Sequence, residues 1–139
     1  MNEQERIALL EQVAECAPKG WTAKLQAFLT RSDALVFHYF ENGTHSSALL
    51  SFESDYRDAL AITAMLNAIE SKGFACGVAT ARIPESVGSY YNKNGEGYDC
   101  VYQDQNEEPC RRFNHKTNGS TRSEAVARAF VKVFRGVQS

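Results

Sequence analysis

Residues 51–74 read SFESDYRDALAITAMLNAIESKGF and contain a helix with both ends marked. Ser54 or Asp55 can cap its start, and Asp58 stands three residues after Asp55, as in a capping box. Gly73 marks the end, because glycine readily takes the left-handed conformation that closes many helices. The stretch therefore predicts one complete helix, around which the rest of the chain can be arranged.

One apolar stripe runs along this helix, which we expect to span residues 55–72. Its members recur at intervals of three and four residues: Ala59, Ile62, Met65, Leu66 and Ile69. Such a stripe faces a core, so Ile62, Leu66 and Ile69 should be buried against a sheet.

Length and cysteine content favour one domain with free thiols. A chain of 139 residues can bury roughly two-thirds of the surface that its unfolded form exposes, so we expect a single domain over residues 1–139. The four cysteines, Cys16, Cys76, Cys100 and Cys110, form no C-x-x-C pair. This spacing suits free, buried thiols in a reducing cytosol better than a disulfide framework.

Charge and hydropathy exclude two classes of partner. The formal net charge of −2 and a pI of about 5.9 argue against a protein that coats nucleic acid in bulk, although local basic patches stay open. No apolar run approaches the roughly 20 residues that a membrane-spanning helix needs, and residues 1–5 are acidic where a signal peptide is basic. We therefore expect a soluble cytoplasmic protein with no membrane partner.

The first half of the chain predicts a helix and three strands. Asn2 caps a helix over residues 2–17, and residues 21–29 alternate between apolar and polar side chains, which favours a strand with a helix as the alternative. Residues 34–41 and 44–50 flank Asn42-Gly43, the strongest short hairpin signal.

The two-residue hairpin loop fixes the register of the strands. It sets Glu41 opposite Thr44, Phe40 opposite His45, Phe37 opposite Ala48 and Leu35 opposite Leu50. Both faces of residues 35–40 carry large apolar groups, so we expect a second covering layer or a subunit partner, and hence a homo-oligomer.

The second half predicts two more strands and a last helix. Strands are expected over residues 74–83 and 98–103, a long loop over 85–97, and an irregular stretch over 104–120 with an edge strand at 110–114. In the helix that follows, Thr121 and Glu124 form a capping box, Val126, Phe130, Val133 and Phe134 form the buried stripe, and Gly136 marks the end. The elements together predict an α/β (α+β) fold, a single-domain sandwich of helices on a small antiparallel or mixed sheet.

Several of these signals resemble one family. The Ser54-Asp55 turn before a helix, the exit Lys72-Gly73-Phe74, the strand over residues 99–102 and the terminal Thr121-Arg122-x-x-Ala125 are similar to the small phage and prophage proteins grouped as phage ABA-sandwich domains. The resemblance covers about residues 51–134. It implies a phage-encoded accessory protein of the infected bacterial cytoplasm, with counter-defence as its role.

The most site-like segment combines positive charge with the start of a helix. It contains four formal positive charges and no acid, and its candidate residues are Arg111, Arg112, His115, Lys116, Asn118, Thr121 and Arg122. Arginine side chains and the first N–H groups of a helix both bind phosphate or carboxylate, so the segment predicts an anion site. The alternative is a solvated loop that balances Asp104, Glu107 and Glu108.

A second candidate segment is aromatic. Tyr90, Tyr91, Asn92 and Lys93, preceded by Arg82, can stack on a base and donate hydrogen bonds to it. The alternative is that the tyrosines pack on the protein's own surface or on a neighbouring subunit. If both segments leave the sheet at the same end, they form a nucleotide pocket.

Metal sites and catalytic groups lack support in the sequence. His38 and His45 fall diagonally on one face of the hairpin, but two histidines make an incomplete metal site. Cys110 and His115 share a loop, yet no third orienting group accompanies them. We therefore predict no cofactor, no metal and no enzyme.

The functional hypothesis is a phage-type binding protein that takes an anionic ligand such as a nucleotide immune signal. The alternatives are an anti-CRISPR-like inhibitor that binds a host defence protein directly, and a small cytosolic enzyme.

Overall fold

The computed structural model describes residues 2–28, 31–41, 43–80, 97–104 and 115–138. The elements in chain order are α1 (Glu3–Glu15), β1 (Thr22–Phe28), β2 (Arg31–Glu41), β3 (Thr44–Leu50), α2 (Ala59–Ser71), β4 (Phe74–Thr80), β5 (Tyr98–Asp104), β6 (His115–Gly119) and α3 (Arg122–Gln138). The predicted α+β class is confirmed. The segments 85–96 and 110–114, which we predicted as a loop and an edge strand, lie outside the described residues.

The described strands form two antiparallel sheets of three strands each, in the orders β1-β2-β3 and β4-β5-β6. The expectation of one sheet built from both halves of the chain was wrong. Helix α2 connects β3 to β4 and packs on both of them, so the chain leaves one sheet and begins the next. Strands β1 to β5 were predicted from their own residue patterns, whereas β6 was not, and a pattern of apolar alternation does not specify which strands are neighbours.

The β2-β3 hairpin has the predicted register. Glu41 pairs with Thr44 and Phe40 with His45, and Gly43 has φ = 78°, which glycine adopts without strain. Among the described residues of the chain only one face of the hairpin is covered, and covering of the other face by a subunit partner stays a prediction. Leu35, Phe37 and Tyr39 are buried on the covered face, whereas Phe40 on the other is 69 % exposed.

Helix α2 begins later and buries a different face than predicted. Its buried residues are Ala61, Ala64, Met65, Ala68 and Ile69, while Ile62 and Leu66 are half-buried. The alanines lack bulk, so they let α2 approach its neighbours β3, β4 and α3 closely. The predicted burial of Ile69 is confirmed, and that of Ile62 and Leu66 is corrected to partial burial.

Helices α1 and α3 also contribute side chains to the core. Asn2 caps α1 by accepting a hydrogen bond from the Glu5 N–H at 2.8 Å, as its sequence predicted. The four stripe residues of α3 are all buried: Val126, Phe130, Val133 and Phe134. Helix α3 continues past Gly136 to Gln138, because one glycine lowers helix propensity by about 1 kcal/mol without forcing an end. None of the described helices has the length and apolar character to cross a membrane.

Candidate anion-binding site

The structure describes five of the twelve residues that we named as candidates for ligand binding. The described ones are His115, Lys116, Asn118, Thr121 and Arg122, whereas Arg82, Tyr90, Tyr91, Asn92, Lys93, Arg111 and Arg112 lie outside the described residues. Residues 115–119 belong to strand β6 and not to the irregular stretch that we expected. The pairing of β6 with β5 fixes which of these side chains reach the surface.

Strand β6 lies tightly against the first turn of α3. The Thr117 hydroxyl donates to the Ala125 carbonyl at 2.6 Å. A Cβ on Gly119 would lie 2.6 Å from the Ala125 nitrogen, so only glycine fits at this contact. The Asn118 side chain donates to the Tyr98 carbonyl and to the Asp99 carboxylate, which ties β6 to β5. The strand and the helix therefore form one fixed unit.

The first N–H groups of α3 already have acceptors within the chain. The N–H groups of Arg122 and Ser123 donate to the Asp55 carboxylate at 3.1 and 3.0 Å. The Glu124 N–H donates to the Thr121 hydroxyl, and the Ala125 N–H donates to the Thr121 carbonyl. An anionic ligand at this helix start would have to displace the Asp55 carboxylate.

Asp55 thus serves a different helix than its sequence position suggested. We expected Asp55 or Ser54 to cap α2, with Asp58 completing a capping box. Asp55 caps α3 instead, across 67 residues of sequence. Asp58 stands at the N-cap position of α2 without a side-chain capping bond.

Asp58 holds the turn that precedes α2. Its fully buried carboxylate accepts from the Ser51 N–H, the Ser51 hydroxyl and the Phe52 N–H at 2.9, 3.1 and 2.9 Å. Phe52 has φ = 65°, a left-handed conformation that a bulky residue adopts only under such constraint. Burial raises the pKa of the Asp58 carboxyl, while hydrogen bonds, including one from the Ser123 side chain, favour its ionised form.

A cationic groove lies between β6, α3 and α1. It has a volume of about 310 Å³, and its lining residues are Leu9, Gln12, Lys116, Thr117, Asn118, Arg128, Val131 and Lys132. Lys116, Arg128 and Lys132 are exposed, and no acidic residue is among those that line the groove in the described part of the chain. Three cations from two elements therefore meet at one concave surface.

The guanidinium group of Arg128 is positioned by a carboxylate behind it. Its Nε donates to Glu124 Oε2 at 3.4 Å, and the Glu124 side chain is only 9 % exposed against 42 % for Arg128. The remaining N–H groups of Arg128 can therefore point towards a ligand. Lys132, one turn further along α3, forms no ion pair with any described residue.

The other described candidates make contacts within the protein. The Arg122 guanidinium lies over the Tyr98 ring, 5.3 Å from its centroid, and the His115 ring stacks on Tyr102 at 5.0 Å. Thr121 caps α3. Of the predicted cationic segment, Lys116 and Asn118 line the groove.

A second groove lies between α2, the aromatic side chains of β2 and Trp21, which directly precedes β1. It has a volume of about 240 Å³, and its lining residues are Pro18, Trp21, Tyr39, Phe40, Leu60, Thr63, Ala64, Asn67, Ala68 and Ser71. The Trp21 and Tyr39 rings stack at 5.0 Å. We call it the apolar groove, since no Asp, Glu, Lys, Arg or His lines it among the residues described.

The described residues offer little for metal binding or nucleophilic chemistry. No group of three or more metal-ligating side chains occurs in the described ranges, and the His38 and His45 rings stack on each other at 5.4 Å. Burial raises the pKa of the Cys76 thiol to about 11 and that of Cys100 to about 12, so both stay protonated near neutral pH.

No known protein family, curated protein or solved structure matches this chain.

Sequence reasoning missed Arg128 and Lys132, which line the groove. Both lie on α3, which we interpreted as a packing helix because of its apolar stripe. Their spacing of four residues, followed by Arg135 three residues later, was the available signal, since it places three cations on the face away from the stripe.

Proposed function

We propose that this protein binds a phosphate-bearing anionic ligand in the cationic groove and does not transform it. One observation carries the proposal: Lys116, Arg128 and Lys132 converge from β6 and α3 on one groove whose described lining contains no acid. Charge-assisted hydrogen bonds from such groups are about twice as strong as neutral ones.

Two kinds of hydrogen-bond donor line the groove, one arginine and two lysines. Arg128 offers a planar fork that matches two phosphate oxygens, whereas the ammonium groups of Lys116 and Lys132 act as compact point charges. Leu9 and Val131 line the same groove and lower its local polarity, which strengthens each ionic contact. Because the whole chain has a net charge of −2, the attraction is local to this surface.

The composition of the groove supports binding over catalysis. The described lining residues include no Cys, His, Asp, Glu or Ser, and the Thr117 hydroxyl is committed to the Ala125 carbonyl. A reaction on the ligand would need a nucleophile or a general base within hydrogen-bond reach, and a lysine takes either role when it is desolvated, whereas Lys116 and Lys132 are exposed to water.

Calorimetry with inorganic pyrophosphate and a panel of linear and cyclic nucleotides tests this function. We expect saturable binding with full recovery of the ligand, and a loss of about tenfold or more in affinity for Lys116→Ala or Lys132→Ala. Lys24→Ala is the matched control, since Lys24 is an exposed lysine on β1, outside the groove. The proposal fails if no phosphate compound binds, if the control loses as much as the groove variants, or if the ligand is consumed.

The biological role that we propose for this binding is phage counter-defence in the bacterial cytoplasm, as the family resemblance implies. A protein that captures a nucleotide immune signal should protect a phage in proportion to its affinity. Phage plating on a host with a nucleotide-signalled defence tests the role. The wild-type chain should restore plaques and Lys132→Ala should not, whereas equal protection by both would contradict a role for the groove.

One observation favours a second function, inhibition of a host defence protein by direct contact. Phe40, Leu60 and Tyr56 are 69, 64 and 91 % exposed, and the first two line the apolar groove. Exposed apolar side chains beside a groove are typical anchors of protein interfaces. If this function is the correct one, Leu60→Ser should abolish protection of the phage while Lys132→Ala leaves it intact.

A further inference from the structure

Two histidines lie side by side on the face of the β2-β3 hairpin that carries Phe40. His45 pairs with Phe40, and His38 stands two residues before Phe40 on β2, so the two side chains are diagonal neighbours on one face. Their ring centroids are 5.4 Å apart. The hairpin therefore holds two imidazole groups close together at its surface.

The ring nitrogens of this pair are available to a ligand. Among the described residues, none forms a hydrogen bond or an ion pair with either ring, and the ring contacts are the stacking of His38 on His45 and the edge of Phe40 against His45 at 5.5 Å. His45 is exposed and His38 is half-buried. A neutral imidazole has one nitrogen with a free lone pair, so the pair offers two such nitrogens.

The separation of the rings fits one shared metal ion. A zinc-type ion binds histidine nitrogen at about 2.0–2.1 Å, so two nitrogens on the same ion lie at most about 4.2 Å apart. The nitrogens lie at the rims of the rings, so rings with centroids 5.4 Å apart reach this limit when they turn their edges towards each other.

The rings have the freedom to make that turn. Their planes are inclined by only 15°, so at least one ring must rotate before both nitrogens point at one ion. The outer torsion of a histidine side chain is broad, and no described hydrogen bond holds either ring in place. Phe40, which packs on His45, is itself 69 % exposed and can move aside.

Imidazole nitrogen selects the class of metal. It suits Cu²⁺, Ni²⁺ and Zn²⁺, whereas Mg²⁺ and Ca²⁺ prefer oxygen ligands. Affinity among the divalent first-row ions is highest for Cu²⁺. No third metal-ligating side chain joins the pair in the described ranges, so water fills the other coordination positions of the ion.

We propose that His38 and His45 form a surface chelate for one divalent late transition-metal ion, with Cu²⁺ bound most tightly. Two histidines are too few for the closed four-ligand site of a structural zinc, but a site open to water needs no more. Neither histidine is among the residues that line the cationic or the apolar groove, so this inference does not depend on the proposed function.

Calorimetric titration of the untagged chain with copper(II) chloride tests the site. We expect one ion per chain, weaker binding of Ni²⁺ and Zn²⁺, and no heat with Mg²⁺. His45→Ala and His38→Gln should each lower the Cu²⁺ affinity about tenfold or more, and the glutamine keeps the size of the half-buried side chain. The double variant should lose little more than either single variant, because the loss of one histidine already breaks the chelate.

His115→Ala is the matched control. His115 is the remaining histidine of the chain, and its ring stacks on Tyr102 in the other sheet. This variant should bind Cu²⁺ like the wild type. Because Cu²⁺ is paramagnetic, the NMR amide signals of residues around His38 and His45 should broaden first, while the amide signal of His115 stays sharp.

Four results would overturn the chelate. If His45→Ala and His38→Gln bind Cu²⁺ like the wild type, the ion is adventitious and bound elsewhere. Two ions per chain, one lost in each variant, would mean that the histidines act separately. An equal loss in His115→Ala would show that the effect is not specific to the hairpin, and binding of Mg²⁺ as tight as that of Cu²⁺ would contradict nitrogen coordination.

Discussion

The cationic groove and the apolar groove have the same architecture and opposite chemistry. Each is a cleft beside a helix and a strand, but Lys116, Arg128 and Lys132 line the first, while Trp21 and Leu60 line the second. The inner faces of α2 and α3 are both apolar and both serve the core. The outer faces of the helices therefore decide which kind of partner each groove can attract.

The two grooves also depend on one junction. Asp55 and Asp58 precede α2, and they bond to the N–H groups and the Ser123 side chain at the start of α3. Disturbing this junction should damage both grooves together, whereas a change at one rim should affect one groove alone.

The largest expected effect is that of Asp58→Ala. It leaves the buried N–H groups of Ser51 and Phe52 without their acceptor, so the free energy of unfolding should fall by about 3 kcal/mol. Urea denaturation measures the change. Glu53→Ala, at an exposed neighbouring position, is the control and should stay within about 0.5 kcal/mol of the wild type. A similar loss for both variants would contradict the role given to Asp58.

Gly119→Ala should damage the cationic groove and spare the apolar one. The added methyl would lie 2.6 Å from the Ala125 nitrogen and 2.7 Å from the Glu124 Cβ, so β6 must move away from α3. We expect a loss of about 2 kcal/mol from this overpacking, together with loss of phosphate binding.

Gly77→Ala is the matched control for Gly119→Ala, because a methyl group there meets nothing within 4 Å. Thermal unfolding compares the stability of the two variants, and calorimetry compares their phosphate binding. If Gly119→Ala unfolds like Gly77→Ala and binds like the wild type, β6 does not hold the groove against α3.

Asp55→Ala should have a smaller effect on stability. It removes the acceptor of two N–H groups at an accessible helix start, which costs about 1 kcal/mol for a typical cap. Asp55→Asn keeps a capping oxygen and should lose less, as chemical denaturation can measure. Equal losses for the two substitutions would show that the carboxylate charge, rather than the cap geometry, matters at this position.

The smallest expected effect on stability is that of Leu60→Ser. Leu60 is 64 % exposed, so its removal should change the free energy of unfolding by less than about 0.5 kcal/mol. Phosphate binding should also be unchanged, since Leu60 lines the apolar groove and is not among the residues that line the cationic groove. A weaker phosphate affinity in this variant would mean that the two grooves are not independent.

The features predicted correctly from the sequence depend on near neighbours in the chain. The Asn2–Glu5 cap involves residues three apart, and the two-residue connection between Glu41 and Thr44 fixes the β2-β3 register. The partition into two sheets and the capping of α3 by Asp55 depend on contacts between distant residues, which a single sequence does not encode in any local pattern.

The cationic groove was only partly predictable for the same reason. Lys116 stood in a segment with obvious positive charge, so the sequence indicated it. Arg128 and Lys132 resemble the solvated face of any amphipathic helix until α3 is placed beside β6. The convergence of the three charges is a property of the fold.

The most direct test of the cationic groove is a map of backbone amide shifts by NMR while pyrophosphate is added. We expect the largest changes at Lys116, Arg128 and Lys132, and no change at the Trp21 indole or the Leu60 amide. Changes centred on Trp21 and Leu60, or no change at any residue, would contradict it.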